Sequence, residues 1–128
     1  MKTKNRRTVL VIVMLAFTFV SNAQSDAWTS IKTYSGVSIY WRYRQELKDQ
    51  YRSELKFTNN NSYDVEISFI PVFACSDGSD YRESGQSLSV IAGGTKAGEW
   101  EGLGYYVCKG LKPPRNGGYE KLYVKRVD

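Results

Sequence analysis

The chain contains no histidine. That absence removes Ser-His-Asp and Cys-His hydrolysis, and with them the side chain most often used as a general base near neutral pH. Cysteine is scarce, with Cys75 and Cys108 the only two. A zinc site of mixed cysteine and histidine ligands is therefore excluded, and an all-cysteine site would need twice as many thiolates. No long apolar stripe of helical period runs along the chain. A surplus of one charge is missing too. Eighteen basic residues stand against thirteen acidic ones, but Lys2, Lys4, Arg6 and Arg7 crowd the start, and beyond them fourteen face thirteen. A nucleic-acid binder concentrates cations on one face. The two small basic clusters, Arg42/Arg44 and Lys121/Lys125/Arg126, read as solvated strand faces, so nucleic acid is not an expected partner.

The N-terminus carries a targeting layout. Four cations precede an almost purely apolar run over residues 8–20, and Ser21-Asn22-Ala23 then offers small residues at the two positions a signal peptidase reads. Residues 1–23 are expected to be a secretory signal peptide cut after Ala23; the layout resembles bacterial export signals that are cleaved before a glutamine, here Gln24. The apolar run is shorter than the roughly 20 residues a bilayer-spanning helix needs, so no membrane span is expected after cleavage. Residues 24–128 are read as one exported domain, periplasmic or at the cell surface. In an oxidising compartment Cys75 and Cys108 have one possible pairing, with two free thiols as the alternative. A disulfide closing a loop of about 34 residues stabilises by roughly 3–4 kcal/mol in the chain-entropy model.

The rest alternates with a period of two. Val37, Ile39, Trp41 and Tyr43 share one parity, and Ser38, Tyr40, Arg42 and Arg44 the other. Leu55 and Phe57 alternate with Glu54, Lys56 and Thr58. Between these strands, residues 45–51 make either one helical turn or an extension of the hairpin. Asn59-Asn60-Asn61-Ser62 is a turn, because asparagine tolerates positive φ and bonds its own backbone. The next strand is the longest: Tyr63, Val65, Ile67, Phe69, Phe73 and Cys75 lie on one side, Asp64, Glu66 and Ser68 on the other. From Ile70 both parities turn apolar, and Pro71 predicts an edge, a bend or a bulge there, with a possible crossing between sheets. A polar loop follows to about Gln86. Strands are then expected at Leu88/Val90, over residues 100–108 and over 119–126, with a turn region over 109–118. In the last strand Leu122 and Val124 are expected to face inward. This pattern of about six or seven antiparallel strands predicts an all-β sandwich. It is similar to bacterial immunoglobulin-like or fibronectin-like accessory domains, on the asparagine turn and alternating strand of residues 59–69 and the short L-x-V strand with its glycine turn over 88–94.

The stretch GGTKAGEWEGLGYYVCKG, residues 93–110, invites three readings. A phosphate loop needs its lysine after the last glycine and a helix behind it; here Lys96 precedes Ala97-Gly98 and a strand follows. Glu99 and Glu101 sit side by side, whereas glycosidase carboxylates face each other across a cleft about 5–10 Å wide. The remaining reading is a glycine turn leading into a strand that ends at the disulfide, with Trp100 in the core against that disulfide. Asp64, Asp77, Asp80 and Asn59–Asn61 do not have the spacing of a calcium loop. No catalytic constellation, metal site or cofactor motif is expected, and the chain is read as non-enzymatic. Ten tyrosines and three tryptophans are the unusual feature. Tyr40, Arg42 and Arg44 on one strand and Tyr119, Lys121 and Tyr123 on another form a possible aromatic-cationic binding surface if the two strands are neighbours. The functional expectation is an exported module that binds a protein or cell-envelope component through a strand face or edge, the alternative being a carbohydrate-binding module with a tyrosine/tryptophan platform.

Overall fold

The computed structural model describes residues 27–47, 50–108 and 113–127. The expected signal peptide and residues 109–112 of the expected turn region lie outside the described residues. The described chain folds into two antiparallel sheets closed on one another and joined by a disulfide. In sheet A, β1 (Thr29–Tyr34), β2 (Val37–Leu47) and β3 (Gln50–Asn59) follow as a meander. β7 (Thr95–Ala97) and β8 (Gly104–Val107) both pair with the far edge of β3. In sheet B, β4 (Asp64–Cys75) is central, β9 (Pro114–Val127) flanks one side, and β5 (Asp80–Arg82) and β6 (Gln86–Val90) share the other. The described residues hold more strands than expected because two edges are split, into β5/β6 and β7/β8, and because β1 precedes Val37. Residues 45–47 and 50–51 extend the β2–β3 hairpin.

Period-two alternation places the core where expected. Val37 and Ile39 on β2, Leu55 and Phe57 on β3, and Val65, Ile67, Phe69 and Phe73 on β4 are buried between the sheets. Each such side chain gains about 1.5–3 kcal/mol from burial. The Phe57 and Phe69 rings meet across the interior at 4.9 Å, Phe73 and Tyr105 at 5.2 Å. The Cys75–Cys108 disulfide ties the end of β4 to the end of β8, Cα to Cα 5.5 Å. One covalent link therefore holds the two sheets together at that end.

β4 does not cross between sheets at Pro71; it stays in sheet B throughout. The neighbour changes instead. Pairing with β6 ends at Phe69↔Gln86 and pairing with β5 starts at Val72↔Arg82. A strand residue sends its N–H and C=O to the same side, and the Pro71 carbonyl accepts from Glu83 N at 2.9 Å. The missing N–H thus falls where the ladder is already interrupted.

Gly117 and Gly118, expected in a turn, are strand residues of β9 opposite Phe73 and Val72. Trp41 from the facing sheet rests on Gly117, where no side chain can stand. Farther along β9 one extra residue enters between the pairs Ile70↔Glu120 and Ser68↔Tyr123. This is a bulge, with Lys121 at φ 51. It resets the alternation, so Tyr119 before it and Leu122 and Val124 after it all pack on the core.

Candidate functional site

The outer face of sheet A is built by register. β2 presents Tyr40, Arg42 and Arg44, paired in order with Lys56, Glu54 and Arg52 of β3. Tyr106 of β8 is opposite Arg52. Such a face would ordinarily be solvated, yet Glu54 is buried, 2% exposed. Two things cover it. Arg42 donates from Nε to Glu54 Oε1 at 2.7 Å, and Arg52 Nε lies 2.9 Å from Oε2, without the alignment of a hydrogen bond. Above them stands a small excursion of the chain.

That excursion belongs to the glycine-rich stretch that starts at Gly93. β7 leaves the edge of β3 after Ala97, and β8 rejoins it at Gly104. At its base Gly98 and Leu103 bridge, Gly98 N donates to Leu55 O, and Leu55 N donates to Leu103 O. Glu99–Glu101 is extruded as a single 3-10 turn, bracketed by Gly98 at φ 76 and Gly102 at φ 78. Both values favour glycine. Backbone bonds from Glu101 N and Leu103 N to Gly98 O and from Gly102 N to Glu99 O close the turn. Glu101 Oε1 accepts from Ala97 N at 2.7 Å. Glu99 is held from below, accepting from Arg52 Nη1 at 2.7 Å and from Tyr106 Oη at 3.2 Å. Arg52 also meets Glu46 at 3.2 Å.

Trp100 rides at the tip, 99% exposed. This corrects the expected core position against the disulfide, and the expected strand over 100–108 begins only at Gly104. The reason is substitution at the core. Leu103, fully buried, and Tyr105 fill the space behind the turn, and Tyr105 stacks on Phe73. A concavity of about 200 Å³ lies beside Trp100, lined by Arg42, Arg44, Arg52, Glu54, Gly98 and Glu99 among others.

Electrostatics follow from the crowding of charges. Burial alone would lower the Arg52 pKa, but the bond to Tyr106 and the carboxylates of Glu54, Glu46 and Glu99 outweigh it and hold the guanidinium above its ordinary value. Lys56 is lowered, by burial first and then by Arg42. Its ammonium lies 4.8 Å from the Trp28 ring and 4.5 Å from that of Tyr40; Arg42 covers Trp28 at 4.2 Å.

The six residues expected to make one binding surface are not brought together. Tyr40, Arg42 and Arg44 are in sheet A; Tyr119, Lys121 and Tyr123 are in sheet B, on β9. Within β9 the bulge separates them again, with Tyr119 turned to the core and Lys121 and Tyr123 exposed. The oxygen-rich residues are also dispersed. Asp64 begins β4 and binds Ala92 N, while Asp77 lies past its other end and caps Ser79 N. Among the described residues no three His, Cys, Asp or Glu gather as metal ligands. Sequence reasoning missed Glu54, Arg52, Glu46 and Glu99 as one network. The signal that was present is the pair Gly98 and Gly102 enclosing Glu-Trp-Glu, which is turn chemistry around an aromatic residue. Compared with family models, with curated proteins and with solved structures, the chain matches none.

Proposed function

We propose that the protein is an exported, non-enzymatic binding module that docks a protein or cell-envelope partner through the Trp100 turn. One observation carries the reading: a fully exposed indole at the tip of a turn that is fixed on every side. Tryptophan is enriched at binding hot spots, and a turn backbone fixed in advance removes part of the ordering cost of docking. The turn is held by its two glycines, its backbone bonds and the Arg52–Glu99–Tyr106 contacts. The adjacent carboxylates argue for binding over acid–base chemistry, since Glu54 and Glu99 are each engaged by arginine. We also read the sandwich as immunoglobulin- or fibronectin-like, on the asparagine turn before β4 and the glycine turn after β6.

The alternative is a carbohydrate-binding module with a tyrosine/tryptophan platform; Tyr40 and Tyr119 sit on different sheets and would not share one. The test is capture from the native cell envelope with the oxidised protein and with Trp100→Ala. One protein recovered by the native chain and lost with the variant is the expected result. Equal capture by both, or recovery of polysaccharide in its place, overturns the reading. Circular dichroism confirms that the variant is folded.

A further inference from the structure

At one margin, sheet B is a strand narrower than sheet A. Trp41 of β2 rests on Gly117 of β9, so β2 lies over β9, and β1, on the far side of β2, overhangs the free edge of β9. The consequence is visible in β1. All six of its residues are exposed, which leaves Ile31 37% and Tyr34 40% exposed. Below them Leu122 and Val124 of β9 are only half-buried against the core. Among the described strands β9 pairs with β4 alone, so its other edge carries no neighbour. Register sets Tyr34 opposite buried Val37 and Lys32 opposite buried Ile39, so both face inward on β1, with the Lys32 ammonium 5.9 Å from the Tyr34 ring centroid. The free backbone edge of β9, its half-buried Leu122 and Val124, and this overhang together outline the place of a missing strand.

We infer that this margin receives an extended segment of a partner protein as an added strand, with apolar side chains toward Tyr34, Leu122 and Val124 and acidic side chains toward solvent. The length follows from the bulge. Lys121 at φ 51 interrupts the edge, and residues 122–127 beyond it form a regular run of six, the length of β1. The charge follows from the surroundings. Lys32 on the inward face of β1 and Lys121 and Lys125 on β9 are exposed at the margin; Glu66 lies opposite Lys125, and Glu120 is taken up by Arg82. The same lysines and bulge set the margin against a second copy of this chain, whose cationic edge would meet its like. An acidic segment is attracted by the feature that repels self-pairing.

The test uses the oxidised protein and two synthetic seven-residue peptides, one alternating glutamate with valine and one alternating lysine with valine. Amide hydrogen exchange is followed along β9, with sedimentation to monitor self-association. The acidic peptide is expected to slow exchange over residues 122–127 and to bind at least about tenfold more tightly than the basic one, a preference that shrinks as salt is raised. Lys125→Glu should shrink the preference. Tyr34→Glu, at an exposed position that leaves the fold intact, should weaken the acidic peptide by about tenfold. Absence of protection on β9, equal binding of the two peptides, insensitivity to both substitutions, or a dimer that the acidic peptide fails to dissociate would each overturn the inference.

Discussion

The indole of Trp41, on β2, lies on the bare backbone of Gly117, on β9, so that a Cβ at Gly117 would overlap the ring at Cδ1 and Nε1. The neighbouring Gly118 meets open space at the same point. Two adjacent glycines in one strand therefore have opposite sensitivities. Gly117→Ala should destabilise by about 1–3 kcal/mol through overpacking. Gly118→Ala should be neutral or stabilise by up to about 1 kcal/mol, because alanine has less backbone entropy to lose. Urea unfolding followed by tryptophan fluorescence separates the two.

Asn59 joins the two turns at one end of the sandwich. It is fully buried. Its Nδ2 donates to Tyr63 O at 2.8 Å, with Val90 O at 3.1 Å and Ile91 O at 3.2 Å, while Oδ1 accepts from Asn61 N and Nδ2. Asn59→Asp would set a carboxylate against three carbonyl oxygens. The expected loss at pH 7 is about 3–5 kcal/mol. The new carboxyl would titrate above its ordinary range in the fold, so the penalty acts above the unfolded-state value of about 4 and recedes below it. Urea midpoints at pH 7 and at low pH check both the size and the sign.

Much of this architecture was legible in the sequence, because alternation reports burial wherever one strand face meets the core. The inner parities of β2, β3 and β4 were readable for that reason, and the Cys75–Cys108 pair because two cysteines in an exported chain have one possible pairing. What alternation cannot report is a change of parity or an extrusion. The bulge at Lys121 moved Tyr119 to the other side from Lys121 and Tyr123, and the 3-10 turn lifted Trp100 out of a strand that would have buried it. Nor does it report pairing across sheets, so the proximity of Tyr40 to Tyr119 was open until topology decided it. The burial of Glu54 depended on a partner arginine and on an excursion 44 or more positions further along the chain, as the Gly98 contact with its carboxylate illustrates.

Glu54 and Glu99 both bind Arg52 but sit in different surroundings, with side chains 3% and 48% exposed. Glu54→Gln leaves Arg42 and Arg52 without their shared buried countercharge and should cost about 3–5 kcal/mol. Glu99→Gln breaks a solvent-screened contact and should cost less than about 1 kcal/mol. Denaturant midpoints for the two variants test the ranking; equal losses would contradict the placement of Glu54 beneath the turn.

Alkaline titration reports the packing between the sheets. Burial raises the pKa of Tyr105, with the nearby Glu83 carboxylate adding to the effect. Burial also raises Tyr43, helped by Tyr51, and Tyr119. The Tyr105 hydroxyl donates to Gln86 Oε1, a bond the phenolate cannot make. In each case the unfolded chain releases its proton first, near pH 10, while the folded chain still holds it. Between those points the native state binds more protons, so stability is fully present below about pH 10 and declines as pH rises above it. Absorbance of tyrosinate should accordingly show a late stage that coincides with loss of the fold. Tyr105→Phe should shrink the late stage and flatten the fall of the urea midpoint above pH 10, while lowering stability at pH 7 by about 1 kcal/mol for the lost hydrogen bond. Absence of that late stage would mean that Tyr105 does not lie between the sheets.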